Sequence, residues 1–330
     1  MCQPDPVRDV LWLTWVVAIE APAVIVVLRL SGLDERRLLP IRLAGFINYV
    51  LAADVVAALV HLALLRLGIE HPVRAPLWWA VVVAFWVAEL LTRSPIPRRT
   101  TGAAGSSLVI GSCNVERGTT AAEAIAGTLL AADVDVLLVQ EYTPDLATAF
   151  RSTGLLAAYP HVREDPDEGW FGAAILSRHP ILTSERRELG QRPMTLATLD
   201  VDGEQVVVVN VHTQAPIYGR DVTPWRTAFL DLTAVAREAE GLLVMAGDWN
   251  ATLRHQPLRR LLRTGIVVDA HLASRRRRVP RTWPTGRRHP PLLCLDHMLI
   301  SPLIEVTAAA ALPIAGTDHK ALRIALRLPG

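Results

Sequence analysis

Carboxylate, amide and imidazole residues stand beside short apolar segments from residue 107 onward. The strongest case is Val244–Asn250, where an apolar run leads into Gly-Asp-Trp-Asn and predicts a buried strand that delivers Asp248 and Asn250 to a cleft. Taken alone, Gly-Asp-x-Asn is also ordinary turn chemistry. A larger set of such residues is harder to attribute to turns. Its eight members are Asn114, Glu141, His212, Asp248, Asn250, Asp296, Asp318 and His319.

The chemistry that needs this combination is the attack of water on phosphorus. Mg²⁺ prefers hard oxygen ligands and keeps several waters, so a carboxylate and an amide are enough to hold it. We predict that Asn114 and Glu141 bind Mg²⁺, with Mn²⁺ as an alternative ion. Asp248 would orient or deprotonate the attacking water, and Asn250 would bind a phosphoryl oxygen whose charge grows in the transition state.

The two histidines of the set would supply hydrogen-bond donors. We predict that His212 and His319 donate to the phosphoryl oxygen or to the leaving group. Asp296 would fix the tautomer and charge of a neighbouring histidine, as carboxylates commonly do at reactive sites.

Strands and helices must alternate to position these residues. Strands followed by helices and mixed with hairpins predict a two-layered sheet with helices outside, which is an α/β sandwich. Asp202-Gly203 is a strong signal for a hairpin turn. Strands are predicted at 107–114, 134–141, 172–177, 194–201, 205–213, 244–250, 293–300 and 321–326, and helices at 119–132, 144–156, 224–239 and 256–263.

The first third of the chain has a different composition. Its long apolar runs, Val10–Leu28, Leu43–Leu65 and Ala75–Thr92, contain 19, 23 and 18 residues. A bilayer core needs about 20 residues of helix, so we predict an all-α transmembrane anchor of three helices over 1–93. Residues 94–107 are rich in Pro, Gly, Ser, Thr and Arg and predict a linker to a catalytic domain over 108–330.

Each predicted span carries one acidic residue, Glu20, Asp54 or Glu89. Acids inside a membrane are expensive and commonly mark proton or ion handling. The alternative is that they face one another, protonated or hydrogen-bonded, and hold the helices together. Because no span has the clustered acids of a pump, this alternative is favoured.

The positions of the arginines bear on membrane orientation. Seven arginines flank the spans on the side of the catalytic domain and three on the side of the N-terminus. The positive-inside rule therefore favours a cytoplasmic catalytic domain.

Charge and cysteine content limit the function class. Residues 108–330 contain 24 basic and 24 acidic residues, so they lack the basic footprint of a non-specific nucleic-acid binder. Cys2, Cys113 and Cys294 are too few and too scattered for a disulfide framework or a cysteine metal site. A single Cys113–Cys294 bridge is the alternative to buried thiols.

Seven motifs follow one another along the chain: Cys-Asn-Val, Gln-Glu, Gly-Ala-Ala-Ile-Leu-Ser-Arg-His-Pro-Ile, Asn-Val-His-Thr, Gly-Asp-Trp-Asn, Leu-Asp-His-Met and Thr-Asp-His. In this order they resemble the endonuclease/exonuclease/phosphatase superfamily over about 108–328. The resemblance implies a four-layered α/β sandwich, with two central mixed sheets flanked by helices, and a Mg²⁺-dependent phosphoesterase.

Each of the eight residues receives a role from this resemblance. Two departures, Thr317 where Ser is usual and Trp249 where a smaller or phenyl side chain is common, leave the reacting groups intact. The metal side is Asn114 and Glu141 with Asp318 beside the metal, the phosphate-contacting histidine is His212, the nucleophile-orienting pair is Asp248 with Asn250, and the Asp–His pair is Asp296 with His319.

The substrate is the least determined feature, because one fold serves many phosphoesters. Membrane helices ahead of the domain resemble the layout of the membrane phosphatases of glycopeptide (vancomycin and teicoplanin) resistance. That resemblance implies a polyprenyl pyrophosphate substrate, a place in the cell membrane and a catalytic domain on its outer face. The alternative is a membrane-tethered phosphodiesterase or nuclease, whose nucleic-acid version the neutral charge disfavours.

The basic segment 275–288 surrounds Trp283 and contains Arg275–Arg278, Arg281, Arg287 and Arg288. It could grip a pyrophosphate or anionic head groups, or it could be a solvated loop. Its arginines do not separate a lipid phosphatase from a nuclease. The sequence gives no protein partner.

Overall fold

The structure is a computed structural model that describes residues 36, 38–66, 80, 83–87, 90–91, 97, 100–118, 121–216 and 221–330. The chain forms two compact units, Met1–Arg93 with Arg254–Gln256, and Ser94–Leu253 with Pro257–Gly330. The division into an anchor at 1–93, a linker at 94–107 and a catalytic domain at 108–330 stays a prediction.

The N-terminal unit contains helices α1 (Leu38–Gly45) and α2 (Ile47–Arg66). Val56 and Leu59 of α2 are 60% and 62% exposed, so this helix presents apolar side chains outward. Within the described residues, no helix is both long enough and apolar enough to cross a membrane. The predicted span Val10–Leu28 and most of Ala75–Thr92 lie outside the described residues. The same holds for Glu20, Glu89 and the side chain of Asp54.

Two six-stranded mixed sheets form the second unit. Sheet I has the strand order β11-β12-β1-β2-β4-β3 and sheet II the order β5-β6-β7-β8-β10-β9. The strands are β1 Ser107–Asn114, β2 Val136–Gln140, β3 His161–Asp165, β4 Ala173–Ser177, β5 Ile181–Glu188, β6 Pro193–Val201, β7 Glu204–His212, β8 Leu242–Asp248, β9 Val268–Asp269, β10 Asp296–Ile300, β11 Glu305–Pro313 and β12 Lys320–Arg327.

Helices flank the two sheets and complete the α/β sandwich, so the predicted fold class is confirmed for this unit. Thr143 accepts a hydrogen bond from the backbone N–H of Leu146, and Pro144 occupies the first turn, which is why a helix begins there. The helices are α3 Ala122–Ala131, α4 Pro144–Ser152, α5 Thr223–Glu238, α6 Gln256–Arg263 and α7 Ala270–Ala273, with a 3-10 turn at Leu156–Ala158.

The main core lies between the two sheets. Alternate residues of β1, such as Leu108 and Ile110, pack with alternate residues of β7 and β8, such as Val208 and Val244, and all four are 0% exposed. A second cluster joins the other face of sheet I to α3 and α4. The central strands β2 and β8 are buried along their whole length, so they stand in the sequence as nearly continuous apolar runs.

The strands that the sequence did not predict lie mainly at sheet edges. β3 and β11 close the two edges of sheet I, and β5 and β9 close those of sheet II. Most residues of β5 are exposed, so this strand has no apolar alternation to reveal it. The predicted strand 293–300 is also shorter than expected, because Leu293 forms only an isolated bridge with Trp283 and β10 begins at Asp296.

Strand direction explains why the polar set converges. β1 and β2 run parallel, as do β7 and β8, so their carboxyl ends reach the same edge of the sandwich. β10 runs antiparallel to β8, and β12 antiparallel to β1, so the start of each meets that edge. Asp296 therefore stands at the start of β10, and Asp318 and His319 lie just before β12.

Both described cysteines, Cys113 and Cys294, are free thiols. The alternative of a Cys113–Cys294 bridge is wrong. Burial raises the pKa of the Cys113 thiol, which agrees with a packing role in β1.

Candidate active site

Asn114 at the end of β1 binds two carboxylates. Its Nδ2 donates to Glu141 Oε1 at 2.9 Å and to Asp248 Oδ2 at 3.1 Å, and the second bond crosses from sheet I to sheet II. Its Oδ1 accepts from the backbone N–H of Glu116 at 2.9 Å, which fixes the orientation of the amide. Asn114 therefore joins the predicted metal side to the predicted water side.

Glu141 follows the last residue of β2 in a left-handed conformation, with φ of 58°. Such a conformation costs a non-glycine residue about 1–3 kcal/mol and is commonly retained at functional sites. Its side chain is buried, and Oε2 has no hydrogen-bond partner among the described residues. Burial raises the pKa of Glu141 to about 7, against the opposing effect of the Asn114 hydrogen bond.

A divalent metal fits this carboxylate. A buried carboxylate oxygen without a donor is costly, and a hard cation would satisfy it. Asp248, Asp296 and His319 form a second group whose potential ligand atoms lie within 4.8 Å of one another. In that group the Asp296 carboxylate and the His319 ring already pair, so Glu141 is the group left with open coordination.

Asp248 ends β8 and is held by the residue two positions on. Asp248 Oδ1 accepts from the Asn250 backbone N–H at 2.8 Å, and Oδ2 accepts from Asn250 Nδ2 at 3.3 Å. Burial raises the pKa of Asp248 to about 6. The preceding Gly247 is needed because a Cβ there would lie 1.8 Å from the Val211 carbonyl oxygen in the adjacent strand.

The turn after Asp248 is braced from behind by buried groups. Trp249 is 0% exposed, and its Nε1 donates to the His297 carbonyl oxygen at 3.0 Å. Trp249 therefore points away from the cleft and into the packing behind it. Asn250 Nδ2 donates to the Thr213 carbonyl oxygen at 2.9 Å, and Trp225 Nε1 donates to the Asn250 carbonyl oxygen at 3.2 Å.

Asp296 and His319 form a buried pair, with Asp296 Oδ2 2.9 Å from His319 Nδ1. His319 Nε2 lies 3.6 Å from Asp248 Oδ2 and 3.6 Å from Asp318 Oδ1. Burial alone would lower the pKa of His319, but the Asp296 and Asp248 carboxylates outweigh it and raise that pKa to about 10. His319 is thus a cation at neutral pH that points toward Asp248.

His212, at the end of β7, faces both carboxylates. Its Nε2 lies 3.8 Å from Glu141 Oε1 and 3.8 Å from Asp248 Oδ2. Burial lowers the pKa of His212 to about 4, and the nearby His319 lowers it further. Its ring packs against Phe171 with centroids 5.3 Å apart. His212 is therefore a neutral donor or acceptor, in contrast to the cationic His319.

Asp318 lies at the outer side of the site, and its side chain is 20% exposed. Its Oδ2 accepts from Trp283 Nε1 at 2.8 Å, and its backbone N–H donates to Glu116 Oε2 at 2.8 Å. Thr317 Oγ1 donates to the Asn114 carbonyl oxygen at 2.7 Å, so the Thr-Asp-His segment is tied to β1.

All eight predicted residues therefore meet at one edge of the sandwich. Sequence reasoning missed the role of Trp283, which it noted only as part of the basic segment, and that of Phe171. It also gave no role to Asn210, which lies two residues before His212 on the same face of β7. Asn210 Nδ2 donates to the Val139 carbonyl oxygen at 2.8 Å and thereby joins the two sheets beneath the site. Two polar residues on one strand face were the available signal.

Comparison with known proteins agrees with this architecture. The family model of the Endonuclease/Exonuclease/phosphatase family matches residues 111–319, which include every predicted site residue. No curated protein sequence matches the chain.

Solved structures share the fold at low sequence identity. A humanized D. rerio TDP2 is 20% identical, covers 67% of this chain and 98% of its own, and gives a TM-score of 0.55. An endonuclease/exonuclease/phosphatase from Beutenbergia cavernae is 21% identical, covers 68% and 72%, and gives 0.53. A mannosyl-6-phosphatase from Bacteroides thetaiotaomicron is 15% identical, covers 66% and 99%, and gives 0.52.

Proposed function

The chain belongs to the endonuclease/exonuclease/phosphatase family, and we propose that it hydrolyses a phosphoanhydride bond with water oriented by Asp248. Members of this family are metal-dependent phosphoesterases and nucleases, so the chain is a hydrolase of phosphate-bearing substrates. The observation that carries the proposal is the contrast between two carboxylates. Glu141 Oε2 is buried and has no hydrogen-bond partner in the described part of the chain, whereas the two oxygens of Asp248 accept three hydrogen bonds.

A divalent ion at Glu141, Mg²⁺ in our proposal, would supply positive charge to the phosphoryl oxygens. Asp248 orients a water for in-line attack and takes its proton while the water oxygen bonds to phosphorus. The bond between phosphorus and the bridging oxygen breaks, and the electron pair leaves with that oxygen. His319, held cationic by Asp296, stabilises the growing negative charge, and neutral His212 donates to a phosphoryl oxygen. Asn250 Nδ2 already donates to the Thr213 carbonyl oxygen and to Asp248 Oδ2, so Asn250 holds Asp248 in position and does not contact the phosphoryl group.

The proposed substrate is a lipid pyrophosphate of the polyprenyl type, and the proposed location is the cell membrane. The three apolar runs of the sequence and the exposed apolar residues of α2 support membrane contact. The basic segment 275–288 supports binding of an anionic membrane surface or head group beside the site, because the chain has no Asp or Glu between Ala270 and Asp296 to offset its arginines. Trp283 of this segment donates to Asp318, which keeps the segment at the edge of the site.

The catalytic unit belongs, in our proposal, on the outer membrane face, where such a carrier is dephosphorylated in glycopeptide resistance. The arginine distribution argues for the cytoplasmic face. A reporter enzyme fused after Gly330 separates the two. Expression in a glycopeptide-sensitive host should raise resistance, and a catalytically dead variant should not.

A second candidate is a phosphodiesterase or nuclease. The fold likeness to D. rerio TDP2, solved in complex with a single-strand DNA product, favours it. The equal numbers of acidic and basic residues in 108–330 argue against it, because non-specific nucleic-acid binding depends on phosphate contacts.

The test measures hydrolysis by the full chain in detergent micelles with Mg²⁺. Undecaprenyl pyrophosphate, plasmid DNA and sphingomyelin are offered in parallel, and an Asp248→Ala variant is the blank. We expect phosphate release from the first substrate alone. Cleavage of DNA or sphingomyelin without phosphate release from the pyrophosphate would establish the second candidate instead.

A further inference from the structure

Two arginines rest on aromatic rings beside the catalytic residues. The Arg117 Cζ lies 5.0 Å from the centre of the Trp170 ring, and the Arg192 Cζ lies 4.7 Å from the centre of the Phe171 ring. A guanidinium stacked by its face on a ring has the direction of its N–H edge fixed, and Arg192 Nε also donates to Gln214 Oε1 at 3.1 Å. Adjacent residues of one loop therefore carry two oriented cations.

Both cations connect directly to the site. The Phe171 ring that carries Arg192 also packs against the His212 ring, with centroids 5.3 Å apart. Arg117 stands three residues after Asn114 in a turn where Glu116 and Arg117 have φ of 48° and 52°. The Glu116 N–H donates to Asn114 Oδ1, so this turn and the Asn114 amide are oriented together.

The loop that carries the rings is fixed to the residue after Glu141. The Tyr142 N–H donates to the Gly172 carbonyl oxygen at 3.0 Å, and the Asp167 N–H donates to the Tyr142 carbonyl oxygen at 3.1 Å. Any residue with a Cβ at Gly172 would place it 2.0 Å from that same Tyr142 oxygen. The distance between Glu141 and the Trp170-Phe171 platform is therefore held by backbone contacts.

We propose that Arg117 and Arg192 bind the phosphate of the leaving group, which is the phosphate joined to the scissile one in a pyrophosphate. This subsite deepens the proposed function and rests on it. Water attacks the terminal phosphorus, the bridging oxygen leaves with its electron pair on the lipid monophosphate, and the water proton passes to Asp248. The two guanidinium groups bind the monophosphate on which that negative charge accumulates.

Trp170 extends the subsite with an apolar surface. Its side chain is 51% exposed although it lies only three residues before the buried strand β4. In a lipid pyrophosphate, the anionic pyrophosphate would contact Arg117 and Arg192, and the adjoining apolar chain would contact the face of Trp170. A short phosphate monoester would contact neither the arginines nor the tryptophan, so the subsite would make the enzyme selective for pyrophosphates.

The test compares farnesyl pyrophosphate with farnesyl monophosphate as substrates of the full chain with Mg²⁺. We expect Arg117→Gln with Arg192→Gln to lower kcat/KM for the pyrophosphate about 10- to 100-fold, because charge-assisted bonds to phosphate are lost. For the monophosphate we expect a change under about 3-fold, because its only phosphate is the scissile one. Phe171→Leu, which removes the platform of Arg192, should give an intermediate loss, and Arg186→Gln on the exposed strand β5 is the matched control.

A binding measurement provides a second readout. Inorganic pyrophosphate should inhibit the wild-type chain at lower concentration than inorganic phosphate does, and the double variant should lose that difference. Equal losses on both farnesyl substrates, or none on either, would overturn the subsite while leaving the proposed function intact. A wild-type chain that releases no phosphate from farnesyl or undecaprenyl pyrophosphate would overturn both.

Discussion

Glu141 in sheet I and Asp248 in sheet II accept hydrogen bonds from the same Asn114 Nδ2, yet their surroundings differ. Glu141 stands in a left-handed turn, and one of its buried oxygens has no partner within the residues that the structure describes. Asp248 has both oxygens bonded, and the turn behind it is tied to Trp225 and to His297. We call the surroundings of Glu141 the open side of the site, and Asp248 with the turn behind it the braced side.

This difference agrees with two roles, in which Glu141 binds the metal and Asp248 orients the water. A metal ligand needs a lone pair that the protein has not used, whereas a group that orients water must be held in one position by its neighbours. Both carboxylates have a raised pKa because of burial, so charge alone does not distinguish them. The hydrogen-bond pattern does.

The largest expected effect comes from Asp248→Asn on the braced side. The variant keeps an oxygen for the Asn250 N–H but cannot accept a proton, so we expect kcat to fall about 10³-fold or more. Mg²⁺ affinity, measured by titration calorimetry, should change less than about 3-fold if the ion binds on the Glu141 side. A loss of Mg²⁺ affinity as large as the loss of rate would break the comparison.

Glu141→Gln on the open side should act mainly through the metal. We expect the Mg²⁺ concentration for half-maximal activity to rise at least about 10-fold, because a neutral amide is a weaker ligand than a carboxylate. The rate at saturating Mg²⁺ should fall less than in Asp248→Asn. An unchanged Mg²⁺ requirement would move the ion to the group of Asp248, Asp296 and His319.

A buried pair behind the braced side gives a prediction for stability. His297 Nδ1 lies 2.9 Å from Asp269 Oδ2, and its Nε2 lies 3.1 Å from the Ala251 carbonyl oxygen. Burial opposes the charge on each partner, yet the hydrogen bond from His297 lowers the pKa of Asp269. The neighbouring Cys294 and Asp269 raise the pKa of His297 well above its usual value. Since both partners of the imidazole are acceptors, the ring carries both protons.

Asp269→Asn keeps the oxygen that caps α7 through the Leu272 N–H but removes the charge. We expect the free energy of unfolding in urea to fall by about 3 kcal/mol near pH 6. The lowered pKa of Asp269 contributes stability above about pH 4, and the raised pKa of His297 contributes fully below about pH 6.5. The deficit of the variant should therefore be largest between these values and shrink outside them. Asp133→Asn, in an exposed pair with Arg178, should show no such window.

The smallest effect is expected from two matched tryptophan changes. Trp283→Phe removes the donor to Asp318 and should raise the Mg²⁺ requirement about 2- to 5-fold, the worth of one hydrogen bond. Trp225→Phe removes the donor to the Asn250 carbonyl oxygen and should lower the midpoint of thermal unfolding without a change in Mg²⁺ requirement. The same response in both variants would contradict the distinction between open and braced sides.

The sequence predicted the central strands and the reacting groups because both have local signals. Asp248 and Asn250 follow an apolar run, and His212 stands at the end of one. Those signals are absent from β5, which is largely exposed, and from β11, where alanines replace the β-branched residues typical of strands. Edge strands bury too little to leave a pattern.

The contacts that hold the reacting groups in place could not be predicted from the sequence for a different reason. His297 looks like a packing residue inside an apolar strand, and only the fold reveals that Asp269 and the Ala251 carbonyl oxygen flank its ring. The positions of Trp283 beside Asp318 and of Phe171 beside His212 depend on pairings 35 and 41 residues apart in the chain. Sequence spacing does not give such contacts.

The amide of Asn114 has a thermodynamic consequence, because one Nδ2 group serves both carboxylates. A metal ion or a proton that changes the charge of Glu141 must therefore change the strength of the hydrogen bond from Asn114 Nδ2 to Asp248. Occupancy of the open side and the proton affinity of the braced side are therefore linked functions, and by reciprocity each shifts the other by the same free energy. Through Asn114, the proton affinity of Asp248, which orients the attacking water, therefore depends on whether Glu141 holds a metal ion.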